Sequence, residues 1–160
     1  MTLRGVVLDD EPRGMLSPFI EADREQAVAD LAASNHFKVR GRDGKLTDGP
    51  YFLHLNITDG RLVFDIRDPR DAPLRAIGLA LGPFRRLVKD YQMLVDSHIK
   101  AVQEGREARM EAIDMGRRGL HDEGAKLMTE RLAGKIEIDF DTARRLFTLV
   151  CVLAQRVPAR

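Results

Sequence analysis

Apolar and polar residues alternate most regularly between Tyr51 and Arg67, where two runs flank the dipeptide Asp59-Gly60. That pattern and that dipeptide predict a β-hairpin with a two-residue turn. Its register follows: Thr58 faces Arg61, Ile57 faces Leu62, Leu55 faces Phe64 and Leu53 faces Ile66, so the large apolar side chains share one face. The other face pairs His54 with Asp65, Asn56 with Val63 and Phe52 with Arg67. Asp68 to Pro73 reads as a turn. Arg75 to Leu81 alternates Ile77, Leu79 and Leu81 with the small residues Ala76, Gly78 and Ala80, predicting another strand whose small face a helix could approach closely. Leu3 to Leu8 and His36 to Arg40 read as short strands, Asp9 to Pro18 as a break, and Gly41 to Pro50 as a polar loop.

Helical spacing appears first over Glu21 to Ser34, with Ala27, Val28, Leu31 and Ala32 on one stripe and Asn35 as the stop. After Pro83, which suits a first helical turn, the residues Phe84, Leu87, Val88, Tyr91, Leu94, Val95, Ile99 and Val102 form a stripe that ends at Gly105. Arg106 to Ala133 predicts a further helix burying Met110, Ile113, Leu120, Leu127 and Leu132. Each of Gly116, Gly119 and Gly124 weakens it by roughly 1 kcal/mol relative to alanine, and a kink or break is expected near Gly116 to Gly119. Lys135 to Phe140 reads as a strand, and Asp141 as the N-cap of a last helix, Thr142 to Arg156. That helix is apolar nearly all round, which assigns it to the centre of the core or to an oligomer interface.

The expected fold is therefore α+β: a small antiparallel sheet built around the central hairpin, packed against a C-terminal layer of three helices. With 160 residues, residues 1–160 are expected to form a single domain, mainly sheet with one helix over 1–82 and mainly helical over 83–156. Lys and Arg total 26 against 25 Asp and Glu, so no bulk field points to a polyanion or a membrane as partner. The apolar run Leu146 to Ala154 is about half the roughly 20 residues of a membrane span. A single Cys151 and a start without a secretion signal fit a reducing, cytoplasmic setting.

Several stretches together carry a resemblance: DREQAVADLAASNHF, LVFDIRD, GPFRRLVKDY and above all EAIDMGRRGLHDEGAKLMTERLAGKIEIDFDTARRLFTLVCVL. The chain resembles the UPF0262 family of small, uncharacterised bacterial proteins. The resemblance implies one intracellular domain and supplies no activity, cofactor or catalytic residue.

Candidate chemistry comes down to two groups. The pairs Arg85-Arg86, Arg117-Arg118 and Arg144-Arg145 form the first, with the first and third pairs expected in opening helical turns, where the macrodipole disfavours cations. Either neighbouring carboxylates such as Asp90, Asp139 and Asp141 neutralise them, or they share an anion site for a phosphate or carboxylate. The second group lies on the Glu111 to Gly124 helix, where Asp114, Arg118, His121, Asp122 and Ala125 share a face and Arg117 precedes His121 by one turn. Arg118, His121 and Asp122 are thus the residues from which an acid-base site would be built, although no nucleophile motif accompanies them and the alternative is a polar bridge between helices. His36, His54, His98 and His121 show no metal-ligand spacing, and no phosphate-loop or dinucleotide fingerprint is present, so neither a metal nor a cofactor is expected. The RNA-recognition signature, a basic residue and glycine followed by alternating aromatic residues, is absent as well. The first functional expectation is a non-catalytic interaction or regulatory module that binds a protein partner or itself through its C-terminal helices. The alternative is a binder of RNA or a phosphorylated small molecule through the arginine pairs, and an enzyme built around His121 comes third.

Overall fold

The computed structural model describes residues 3–9 and 17–155. The hairpin strands β4 (Tyr51–Thr58) and β5 (Arg61–Arg67) have the register read from their alternation, from Phe52 opposite Arg67 to Thr58 opposite Arg61. Asp59 and Gly60 both take positive φ, 52° and 73°, which is the backbone that a two-residue hairpin turn demands. Leu53, Leu55, Leu62, Phe64 and Ile66 are completely buried on one face.

Strand β6 (Pro73–Ala80) pairs with β5, and β1 (Leu3–Leu8) pairs with β4, giving the order β1-β4-β5-β6. The β1–β4 pairing is parallel, so this sheet is mixed where a wholly antiparallel one was expected. The reason is topological: a helix and two further strands separate β1 from β4 in the chain, and that crossover permits a parallel return. The small-residue face of β6 stays exposed at Ala76, Gly78 and Ala80, in contrast to the helix contact expected there. The space beside Gly78 holds the Arg61 side chain.

A second sheet has the order β3-β2-β7. Strand β2 (Phe37–Arg40) sits between β3 (Leu46–Thr47), which forms inside the expected polar loop, and β7 (Ile136–Ile138), which comes from the far end of the chain.

Helix α1 (Pro18–Ala33) starts earlier than expected, because Ser17 caps it by accepting a bond from Ile20 N–H at 3.3 Å and Pro18 fills its first turn. Its buried stripe is Ile20, Asp23, Ala27 and Leu31, whereas Val28 is left exposed; the stripe is rotated from the expected one and places a carboxylate inside. Asn35 follows the helix and joins it to β1, accepting from Leu3 N–H and donating to the carbonyls of Leu3 and Leu31. The remainder of the break between β1 and α1 lies outside the described residues.

A short 3₁₀ turn over Gly82–Phe84 leads into α2 (Arg85–Glu104). Helix α2 ends at Gly105, whose φ of 65° suits a left-handed C-cap. Helix α3 (Glu107–Leu132) is continuous, so no break falls between Gly116 and Gly119. Its glycines serve packing: a Cβ on Gly116 would stand 3.2 Å from Leu94, and one on Gly124 would collide with the Phe147 ring. Helix α4 (Phe140–Ala154) begins before Asp141, so its N-cap is Asp139, which accepts from Thr142 N–H at 2.8 Å. Asp141 instead lies in the first turn, and Arg144 and Arg145 lie beyond it. Every residue from Leu146 to Leu153 on α4 is buried. This helix is the centre of a hydrophobic cluster that joins both sheets to all four helices.

Candidate functional site

On α3, Met110, Ile113, Arg117, His121, Gly124 and Met128 recur at three- and four-residue intervals and therefore form one stripe. Two polar residues thus interrupt the buried side of the helix. They are met by a polar residue from each neighbouring helix: Asp23 on α1 and Tyr91 on α2, both on the apolar stripes of their own helices.

Asp23, only 5% exposed, is the hub. Its Oδ2 accepts from the Tyr91 hydroxyl at 2.8 Å and its Oδ1 from Arg117 Nη1 at 2.6 Å. Arg117 also donates through Nη2 to Asp114 Oδ1 at 2.6 Å, and Asp114 Oδ2 lies 3.1 Å from Arg118 Nη2. Burial opposes the Arg117 charge, but its bonds to Asp114 and Asp23 outweigh that effect and raise its pKa. The Arg117 bond holds the Asp114 carboxyl below the usual carboxylate range. Burial, and then the negative charge of Asp23, push the Tyr91 phenol up.

His121 lies beneath this hub, 2% exposed. Its ring stacks on Tyr91 with centroids 6.0 Å apart and meets the Phe147 ring edgewise at 6.1 Å. The Thr148 hydroxyl donates to the Arg144 carbonyl at 3.0 Å, which leaves it to accept from His121 Nδ1, 3.4 Å away. His121 Nε2 has no hydrogen-bond partner and stands 3.9 Å from Asp23 Oδ2. Burial depresses the imidazole pKa to about 4, despite the attraction of Asp23, so the ring is neutral at physiological pH.

Above the hub a cleft of about 370 Å³ opens between α1, α2 and α3. Phe19, His98, Met110 and Ile113 form its walls, while Asp23, Asp114 and Arg117 form its polar end. The Phe19 and His98 rings pack at 4.9 Å. The α2 stripe of Tyr91, Val95 and His98 continues one turn further to Val102, which is 55% exposed.

The residues singled out from the sequence are distributed as follows. Arg118 is largely exposed and turned to Asp114, His121 is buried, and Asp122 pairs with Arg144 at 3.0 Å; the three do not meet at one point. Arg85 is exposed. Arg86 pairs with Asp90 and Glu123, and Arg145 Nε lies 3.2 Å from Asp30 Oδ2. Five of the six paired arginines therefore have a carboxylate of their own. His54 has Asp65 opposite it in register, but its ring turns to Asp9 at 3.1 Å and Asp71 at 3.7 Å, because Arg67 engages Asp65. Cys151 is fully buried, and burial pushes its thiol pKa up. Among the described residues no group of His, Cys, Asp and Glu is arranged to hold a metal ion, and no helix is long and apolar enough to cross a membrane.

Asp23 and Tyr91 were absent from the sequence-derived candidates. A signal did exist, since Asp23 falls on the stripe of Ile20, Ala27 and Leu31, where an unpaired carboxylate would be costly.

Comparison with other proteins places these residues in a family. The model described as "Uncharacterised protein family (UPF0262)" matches residues 1–156. The chain belongs to the UPF0262 family. A UPF0262 protein of Granulibacter bethesdensis is 62% identical over 156 residues, covering 95% of this chain and 89% of the relative. One from Acidiphilium cryptum is 60% identical over 154 residues, covering 96% and 93%. Another from Bradyrhizobium diazoefficiens is 51% identical over 148 residues, covering 92% and 88%. No solved structure matches. Membership in UPF0262 confirms the resemblance read from the sequence, and the family's own description assigns no reaction, ligand or partner.

Proposed function

We propose that this UPF0262 chain is a non-catalytic interaction module of the cytoplasm, which receives an apolar side chain of a protein partner in the cleft between α1, α2 and α3. The observation that carries this reading is the division of labour around Asp23. His121 is buried and absent from the cleft lining, Arg117 is held between two carboxylates, and the His98 imidazole in the lining packs on the Phe19 ring. The walls above them are mostly apolar, with Phe19, Met110 and Ile113 beside His98, and the α2 stripe runs on into solvent at Val102. A concave apolar surface over a rigid polar floor suits an anchoring side chain.

An enzyme built from Arg118, His121 and Asp122 gains no support from side chains that face three different environments. A shared anion site for RNA or a phosphorylated ligand on the arginine pairs is likewise disfavoured by their carboxylate partners.

Affinity capture from an extract of the native cell, with and without nuclease, tests the proposal when wild type is compared with Val102→Asp and Met110→Glu. A nuclease-resistant protein should be retained by wild type and weakened by at least about tenfold in both variants, as expected for loss of an interface anchor. Light scattering on the same proteins shows whether that partner is a second copy. A monomer that retains no protein, or one whose partners ignore both substitutions, would sink the proposal.

A further inference from the structure

Among the described residues, the arginines gathered between the two sheets lack the carboxylates that neutralise the helical ones. A cleft of about 590 Å³ lies where the two sheets meet, with Arg40, Arg42 and Arg75 on its rim and Tyr51 and Ile66 in its floor. Alternation explains the convergence. Arg75 is two residues before Ile77 and four before Leu79, so it ends the core-facing row of β6, opposite Ile66. Arg40 ends β2, and Arg42 follows in the loop.

Arg75 Nη1 donates to the Arg40 carbonyl and Arg40 Nη1 to the Gly44 carbonyl. A carbonyl carries no net charge, so these bonds orient the two guanidinium groups without neutralising them. Each retains further N–H donors. Among the described residues, no carboxylate lies within ion-pair distance of Arg40, Arg42 or Arg75, and no acidic residue lines the cleft. Three arginines thus line one concavity, two of them held by backbone carbonyls before any ligand arrives. Leu74 and Ala76, exposed at the side, form an apolar surface against which a ligand body can lie, and Tyr51 and Ile66 are buried beneath.

We infer that this inter-sheet cleft binds a small molecule carrying a phosphate group on an apolar body. The guanidinium forks receive the phosphate oxygens, while Leu74 and Ala76 take the body. The site is separate from the helical docking face and does not depend on it.

Titration of the full chain with phenyl phosphate, inorganic phosphate and phenol, followed by ligand-detected NMR or calorimetry, tests the assignment. Phenyl phosphate should bind more tightly than either fragment, and more weakly as salt is added. Arg42→Gln and Arg75→Gln should each weaken it by about tenfold or more, as expected for loss of a charge-assisted bond. Arg118→Gln, on the helical face, should change nothing. Arg75 also ties the sheets together, so if Arg75→Gln does not fold, exposed Arg42 decides the matter. Absence of phenyl phosphate binding, or binding indifferent to Arg42→Gln, would overturn the inference. So would a single-stranded RNA that binds through these arginines when phenyl phosphate does not, since the surface would then serve nucleic acid.

Discussion

The hub beneath the helical cleft and the cleft between the sheets both hold arginines, yet the protein treats the charges oppositely. Around Asp23, Arg117 meets two carboxylates, and Tyr91 donates to the same Asp23. Between the sheets, Arg40 and Arg75 meet only carbonyl oxygens. The first arrangement is neutralised, with Tyr91 and Arg117 both donating to Asp23 and so tying three helices together. The second keeps donors and charge facing a cavity. Neutralisation distinguishes a structural arginine from one able to recognise a ligand, and adjacency of arginines in the sequence does not.

The largest expected effect comes from opening the closed side. Asp23→Ala strands the Tyr91 hydroxyl and half of the Arg117 guanidinium, and should cost about 3 kcal/mol, the low end for breaking a buried pair because Arg117 is partly exposed and keeps Asp114. Urea unfolding measures it, and a loss below about 1 kcal/mol would mean that Asp23 is not the hub. Asp23→Asn keeps the shape and some bonding, so its smaller loss would separate charge from hydrogen bonding.

The second effect depends on pH. The folded-state pKa of His121, about 4, is lower than that of an ordinary imidazole, about 6.5. The unfolded chain therefore binds the proton more tightly. Stability contributed by the neutral ring is complete above about pH 6.5 and is lost as pH falls through the window to about 4, with about 2 kcal/mol gone between about pH 7 and pH 5. His121→Phe should remove that part of the slope while keeping the ring stack. An unchanged slope in His121→Phe would show that other groups produce it.

Packing along α3 provides a smaller test of how closed that side is. Gly124→Ala should destabilise by about 1 to 2 kcal/mol, because overpacking against Phe147 outweighs the helix propensity gained. Gly119→Ala meets open space and should stabilise by roughly 0.5 to 1 kcal/mol. Equal signs for the two in thermal unfolding would contradict the packing described. Smallest of all, Arg42→Gln should leave stability within about 0.5 kcal/mol of wild type, as for an exposed residue with no structural partner, even though it weakens phosphate binding. A large loss there would turn the open site into another structural one.

Much of the fold was legible where the deciding interactions are local. Asp59-Gly60 set the hairpin turn and with it every pair from Phe52 to Arg67, and Gly105 ended α2 because a left-handed residue closes a helix economically. The α3 glycines misled because their effect on an isolated helix is opposite to their effect beside Leu94 and Phe147. The candidate site was only half legible: Arg117 and His121 fell on the right helix, but their partners come from α1, α2 and α4. Asp23 and Tyr91 looked like ordinary members of their own helices, and nothing local shows that three stripes cross at one point.

By itself, the sequence determined the hairpin and its register, the core position of the apolar α4, most of the helix ends and membership in UPF0262. These depend on backbone geometry and side-chain period over a few residues, which any neighbouring structure must respect. Tertiary structure alone decided that β1 returns parallel to β4, that β2 and β7 form a second sheet, and which arginines are neutralised. Arg40 and Arg75 are 35 residues apart in the chain, yet they are bonded to each other in the fold. Such meetings are set by which apolar faces are buried against one another, and the polar groups carried to the seam take the partners they find there.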